Sequence, residues 1–277
     1  MEGRAFDGVI ASPLAGRSAK PRRQGQTMII DKGLGLSQTG DLLEMASDYI
    51  DYIKFTFGTA ALYSQALLRA KIALIRSYGI NVYPGGTFFE VAVTQGKVDA
   101  YLHRCKDLGF TCIEVSDGTI TLAPEARRQA IARAREFGLQ VVTEVGKKAA
   151  GSVFDPDEAV RQIRADLEAG AVKVIVEGRE SGKNAGVYDA QGKIADAALD
   201  RIVAGAGDPG VLMWEAPLKV QQEELIIRFG PDVNLGNIPP EEALALEALR
   251  RGLRGDTLRL ALGQSGGVVI ETAAGGD

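Results

Sequence analysis

The stretch QVVTEVGKKAAGSVFDPDEAVRQIRADLEAGAVKVIVEGRE (140–180) decides the fold. A short apolar run, Gln140–Gly146, ends in glycine and two lysines. Asp155 and Pro156 then supply an N-cap and a proline at the first helical position, where the missing N–H is not needed. An amphipathic helix over Pro156–Glu168 follows, and Gly170 stands where a left-handed residue closes it. A second apolar run, Val172–Gly178, again ends in polar residues. Strand, helix, strand in this order implies parallel strands joined by a right-handed crossover.

The same unit recurs in both directions from there. The remaining strands read as Met28–Lys32, Tyr52–Phe57, Asn81–Gly85, Cys112–Ser116, Val211–Ala216 and Asp232–Gly236. The remaining helices read as Gly40–Ser47, Ala60–Ser77, Thr94–Asp107, Pro124–Glu136, Ala195–Val203, Val220–Phe229 and Pro240–Leu249. Gly79, Gly109 and Gly138 close three of them as Gly170 closes its own. Eight strand–helix units in a chain of 277 residues predict an α/β fold, a single (β/α)8 TIM barrel spanning residues 28–257. The first strand–helix turn carries no G-x-G-x-x-G fingerprint, which weighs against an open dinucleotide-binding sheet. Residues 1–27 read as an irregular N-terminal arm and 258–277 as a flexible C-terminal tail.

Composition excludes several classes. A net charge of −4 gives no basic footprint for nucleic acid. No apolar run approaches the roughly 18 residues that cross a membrane, and the start of the chain has no secretory apolar region. A cytoplasmic protein is therefore expected. Cys105 and Cys112 lack metal-ligand spacing and read as reduced, buried thiols. The one histidine, His103, falls on a helix outside the barrel, so proton transfer is left to Lys, Glu, Asp, Tyr or water.

Strand parity sorts the rest, because side chains in a closed barrel alternate between the interior and the helix layer. Val172, Val174 and Val176 suit the helix layer, so Glu177 points inward near its strand's carboxyl end. The same test puts Asp31, Lys54, Thr56, Glu114, Ser116, Glu144, Glu215 and Asn234 inward at strand tops, the face that carries the chemistry in this fold. Asp31, Glu114, Glu144, Glu177 and Glu215 crowded into one mouth repel one another and require cations. Lys32, Lys54, Lys147, Lys148 and Arg179 supply some. A divalent ion with oxygen ligands supplies the remainder, and without His or Cys nearby Mg2+ is favoured over Zn2+. Lys173, early in its strand, belongs near the barrel bottom and is read as structural rather than as a Schiff-base lysine. Glycine-bearing segments at strand tops, around Gly86, Arg179 to Lys183, and Gly236, let backbone N–H groups approach an anion. The helix opening at Pro240 adds a dipole end. With Arg179, Ser181 and Lys183 they point to a phosphorylated or otherwise polyanionic substrate.

At this point the residues resemble a known family. The stretches TMIIDKGL (27–34), DYIDYIKFTFGT (48–59), INVYPGGTFFE (80–90), EVSDG (114–118), TEVGKK (143–148), VIVEGRESGKNAGVYD (174–189), EAP (215–217), VNLGNI (233–238) and LRRGLRGDT (249–257) are similar to the phosphosulfolactate synthases. Departures fall mostly in loops such as Thr119–Leu122. The resemblance implies a (β/α)8 enzyme that adds sulfite to phosphoenolpyruvate with Mg2+, giving (2R)-phospho-3-sulfolactate for coenzyme M or another sulfonate. It also implies a homo-oligomer, with a trimer as the expectation. On that basis Lys147 or Lys148 is expected to be the general acid, and Lys32 and Lys54 to orient carboxylate or sulfite. Glu114, Glu144 and Glu177 are the expected Mg2+ ligands, with Asp31 and Glu215 as alternatives. Arg179, Ser181, Gly236, Asn237 and Gly86 are expected to hold substrate. Arg250, Arg251 and Arg254 read as a structural network at the barrel bottom. Two other readings stand beside this one: another phosphate-handling barrel lyase or aldolase, and a non-catalytic stress-associated relative.

Overall fold

The structure, a computed structural model, describes residues 4–147 and 154–263. Eight parallel strands form the barrel: β1 Thr27–Asp31, β2 Tyr52–Phe55, β3 Asn81–Pro84, β4 Cys112–Val115, β5 Gln140–Val145, β6 Lys173–Val176, β7 Leu212–Glu215 and β8 Leu235–Ile238. Their order around the sheet is β3-β2-β1-β8-β7-β6-β5-β4. The seam between β3 and β4 is bridged where Thr111 N–H donates to the Val82 carbonyl at 3.1 Å. The helices outside are α1 Leu36–Ala46, α2 Gln65–Ser77, α3 Gly86–Thr94, α4 Val98–Leu108, α5 Pro124–Glu136, α6 Pro156–Ala169, α7 Asp196–Ala206, α8 Lys219–Phe229, α9 Ala243–Arg250 and α10 Gly255–Ala261. Among the described residues, no helix is long and apolar enough to cross a membrane.

Two elements differ from the expected series. The run Gly86–Thr94 is a helix of its own, α3, in a stretch where no element was expected before Thr94. Its sequence GTFFEVAVT is apolar nearly all round, so it shows no amphipathic stripe to mark it. Residues 255–261, placed partly in the tail, form α10, whose Thr257 is buried and donates to the Leu249 carbonyl at 2.7 Å.

Two apolar layers hold the barrel. The larger lies between sheet and helices and contains the valines of β6, Val174 and Val176, as parity predicts. The smaller fills the interior. Met28, Tyr52, Tyr83, Cys112, Val142, Ile175 and Met213 supply one buried side chain from each of β1 to β7. β8 contributes Gly236, where an added Cβ would lie 2.5 Å from Met28 Cε. The barrel is plugged, and β8 has glycine because there is no room for more. Both thiols are inert: burial pushes Cys105 and Cys112 up to about 12.

Below the plug, the described residues of the N-terminal arm form no helix or strand but are tied down. Arg17 pairs with Glu247 at 2.9 Å and Asp232 at 3.2 Å, and Arg22 pairs with Asp51 at 2.9 Å. Lys173 donates to the Arg23 carbonyl at 2.7 Å and to that of Gly210, at the bottom as expected. Arg250 is buried and donates to the carbonyls of Pro231 (2.5 Å) and Val233 (2.7 Å), while Arg251 pairs with Glu247. The arginines of LRRGLRGDT that lie here are structural. Asn234, expected at the mouth, is at this pole too. Its amide donates to the Gly210 and Leu212 carbonyls at 2.9 and 2.7 Å, and β8 begins only at Leu235.

Candidate active site

Above the plug, the next inward residue on each strand is polar wherever chemistry is possible. Lys54 stands two residues beyond Tyr52, Glu114 beyond Cys112, Glu144 beyond Val142, Glu177 beyond Ile175 and Glu215 beyond Met213. The strand period of two therefore lifts them all to one level over an apolar floor. All are buried, and they line a cavity of about 390 Å³ together with Ile30, Thr56, Phe57, Gly85, Gly86, Thr87, Arg179, Glu180, Ser181 and Asn237.

Lys54 binds the group together. Its Nζ lies 3.0 Å from Glu114 Oε2, 3.4 Å from Glu144 Oε2 and 3.2 Å from Glu215 Oε1. Burial alone would pull this ammonium down, but Glu114, Glu215 and Glu144 outweigh it and hold Lys54 well above the ordinary lysine value. Each carboxylate is also fixed by a neighbour. Glu114 accepts from Gly86 N–H at 2.7 Å, Glu215 from Gly178 N–H at 3.0 Å, and Glu177 from Arg179 N–H at 2.6 Å. Behind Glu144, buried Arg127 donates to its carbonyl at 2.9 Å and pairs with Asp166 at 2.6 Å and Asp117 at 3.0 Å.

Three glycines make this crowding possible. A Cβ at Gly86 would lie 2.5 Å from Glu114 Oε1 and 2.4 Å from Ser116 Cβ. One at Gly146 would lie 2.7 Å from Glu177 Cβ, and one at Gly178 2.4 Å from the Glu215 carbonyl oxygen. Each glycine at one strand end leaves space for the carboxylate of the next strand. Gly86, expected on the substrate side, does line the cavity, with its own N–H given to Glu114. Gly236, expected there too, instead packs against Met28 in the interior layer.

The metal-ligand expectation narrows. Among the described residues, Glu144, Glu177 and Glu215 bring carboxylate oxygens within 4.8 Å of one another. An all-oxygen donor set of this kind suits a hard dication such as Mg2+. Glu114 is not part of this group; it is tied to the start of α3 by the Gly86 N–H and to Lys54. Asp31 is not in the cavity: Ile30 faces it, and Asp31 turns outward to Lys71 of α2 at 2.5 Å. Asp31 also accepts from the N–H groups of Gly33 and Leu34, both at 2.8 Å, and so shapes the loop that carries Lys32. Parity misled because β1, TMIID, is buried on both faces and its hydrophobicity does not mark which face is inner.

The basic residues divide as well. Lys147 is drawn away from the cavity. Its ammonium donates to the Asp117 carbonyl at 2.8 Å, to Asp117 Oδ2 at 2.7 Å and to the Ile120 carbonyl at 3.1 Å. Lys148 lies outside the described residues. Lys32 is exposed and pairs across the mouth with Glu180. Arg179, Ser181 and Asn237 do line the cavity, as expected for the substrate side. Lys173 is pushed down to about 8 by burial, a value that suits a nucleophilic amine, yet it sits at the opposite pole.

Backbone strain gathers at the same mouth. Among the described residues, the non-glycine positions with positive φ are Phe57, Arg179, Asn184 and Asn237. Phe57, Arg179 and Asn237 line the cavity, and such strain concentrates where function holds it in place. Phe57 was not expected here, nor was Glu90, a buried acid on α3 that contacts Ser116. The signal for Glu90 was available: one carboxylate inside the apolar run Phe88 to Val93.

With this geometry established, likeness to known proteins adds the chemistry. The model of the family described as (2R)-phospho-3-sulfolactate synthase (ComA) matches residues 15–256. A phosphosulfolactate synthase of Methanothermobacter thermautotrophicus is 46% identical over 244 residues, covering 87% of this chain and 94% of its own length. One of Bacillus subtilis is 40% identical over 246 residues, covering 88% and 96%. Among solved structures, the YdjI aldolase of Escherichia coli K12 aligns with a TM-score of 0.54 at 13% identity, over 87% of this chain and 90% of that one. At that identity the likeness concerns the barrel alone.

Proposed function

The chain belongs to the (2R)-phospho-3-sulfolactate synthase family, and on that premise we propose that it joins sulfite to phosphoenolpyruvate in a Mg2+-dependent addition. The observation that carries this reading is the convergence of Glu144, Glu177 and Glu215 beside Lys54 over a closed apolar floor. A new C–S bond forms at the methylene carbon of phosphoenolpyruvate. The C=C π electrons move toward the carbon bearing phosphate and carboxylate, which then takes a proton to give the R centre.

Glu144, Glu177 and Glu215 would hold Mg2+, which when bound supplies Lewis-acid stabilisation of negative charge developing on the substrate carboxylate. Lys54 adds a fixed positive charge at the same place, buried in the cavity lining, where such charge acts strongly. Its raised pKa suits it to staying charged rather than to giving up a proton. Arg179, Ser181 and Asn237 line the side on which phosphate and sulfite would be held. The first turn of α3, at Gly86 and Thr87, turns its positive dipole end to the same space. Phe57 stands exposed at the rim, where an aromatic face excludes water. We take the enzyme to be a cytoplasmic homo-oligomer, with a trimer as the state the resemblance suggests.

The proton donor we assign to Lys148 from its place in TEVGKK, since Lys147 already serves three acceptors around Asp117. Lys148→Ala is expected to lower kcat by about 10²- to 10⁴-fold, the usual contribution of a positioned acid, with KM little changed. Lys147→Ala is expected to cost less and to act through the 117–120 loop. Steady-state kinetics of both variants check this, and equal effects would return the acid to the pair as a whole.

The activity is tested by following phosphoenolpyruvate. Consumption is expected only with sulfite and Mg2+ both present, and EDTA should stop it. Consumption without sulfite, or none under any condition, would sink the assignment. An amine-based aldolase is disfavoured by the position of Lys173, so borohydride with a carbonyl substrate should trap no adduct there.

A further inference from the structure

Glu90 is a buried carboxylate that the reading above leaves without a task. It lies on α3, packed under the loop that follows β4. Its oxygens collect three donors: Ser116 Oγ–H at 2.7 Å on Oε1, and the N–H groups of Thr119 (2.9 Å) and Ile120 (3.2 Å) on Oε2. The same Ser116 Oγ lies 3.1 Å from Glu144 Oε1 and accepts from Gly118 N–H at 3.3 Å. A hydroxyl has one hydrogen to donate, so Glu90 at 2.7 Å and Glu144 at 3.1 Å compete for it, and the shorter contact favours Glu90. Glu90 thereby limits how much of that hydrogen bond Glu144 receives. The loop is pinned from its other side as well, because Lys147 takes the carbonyls of Asp117 and Ile120.

We propose that Glu90 is a positioning residue for the metal-binding carboxylates: through Ser116 it sets the orientation and donor strength of Glu144. The inference rests on the reading of Glu144, Glu177 and Glu215 as Mg2+ ligands. Partners of this kind, one bond removed from a ligand, commonly change metal affinity by about 10- to 100-fold when altered.

Glu90→Gln tests it with shape preserved. The amide oxygen still accepts from Thr119 and Ile120, while its NH2 faces Ser116 and turns the hydroxyl hydrogen onto Glu144. Mn2+ serves as the probe, followed by the paramagnetic resonance of the free ion. Binding is expected to weaken about tenfold, with an unchanged thermal midpoint. Ser116→Ala is expected to weaken Mn2+ binding as well, and in that background Glu90→Gln should add nothing further, because the transmitting hydroxyl is gone. Wild-type affinity in Glu90→Gln would overturn the inference, and so would a tenfold loss that persists on top of Ser116→Ala. Should Glu90→Gln fail to fold, Ser116→Ala decides alone, and unchanged affinity there would overturn it. Absence of Mn2+ binding by the wild-type protein would instead remove the metal reading, and this inference with it.

Discussion

Lys54→Met is expected to abolish measurable turnover and to lower stability by about 3–5 kcal/mol, the usual cost of leaving buried charges without their partner. Methionine keeps the length and the apolar stem but removes the ammonium that lies 3.0–3.4 Å from Glu114, Glu144 and Glu215. A buried carboxylate that loses its neighbouring cation favours taking up a proton. The sign of the pH effect follows. A carboxyl group raised in the folded state binds more protons folded than unfolded, so the variant should lose stability as pH rises above the unfolded glutamate value of about 4.3. In the wild type, the raised Lys54 contributes fully below the unfolded lysine value of about 10.4 and is lost only as pH climbs through the higher folded value. Urea denaturation at pH 5 and pH 8 checks this. A variant equally stable at both, and within about 1 kcal/mol of wild type, would show that the ammonium does not hold the site together.

Gly178→Ala is expected to have the second-largest effect, on chemistry more than on folding. The new methyl would stand 2.4 Å from the Glu215 carbonyl oxygen, 2.9 Å from Tyr188 Cε2 and 3.0 Å from Glu215 Cβ. The nearest of these is backbone of a central strand and has nowhere to recede. Overpacking of this kind costs about 1–3 kcal/mol. Moving Glu215 by a fraction of an ångström, and breaking its bond from Gly178 N–H, is expected to lower kcat about 100-fold. Gly40→Ala is the control: it lies in α1 with open space where its Cβ would go, and helix propensity should make it neutral or stabilising. Kinetics and thermal midpoints of the two variants separate the cases. Near-wild-type turnover in Gly178→Ala would show that Glu215 need not be held so closely.

How much of this was legible depended on whether a residue's neighbours were near in sequence. The barrel was, because its alternation of strand and helix is written locally in valine runs, N-caps and closing glycines. Lys54, Glu114, Glu144, Glu177 and Glu215 were, because a period of two carries them inward from apolar neighbours on their own strands. Asp31 was not: its strand is buried on both faces, and its partner Lys71 comes from α2. What the strand-top glycines make room for was not legible, for a related reason. Sequence shows a glycine and permits a phosphate loop, but the reason for its small size is a carboxylate on another strand. Lys147 fails by the same measure, since Asp117 and Ile120 compete for it from a loop about thirty residues away.

The interior layer of Met28, Tyr52, Tyr83, Cys112, Val142, Ile175 and Met213 has a consequence for how this molecule can change. It works as an insulator between two ionic assemblies: Lys54 with its carboxylates at one pole, and Arg17, Arg22, Lys173 and Arg250 at the other. Mutational energies that do not meet add independently. The catalytic pole is thus free to drift toward new substrates while the sealed pole preserves foldability, a division of labour that makes the barrel evolvable one end at a time.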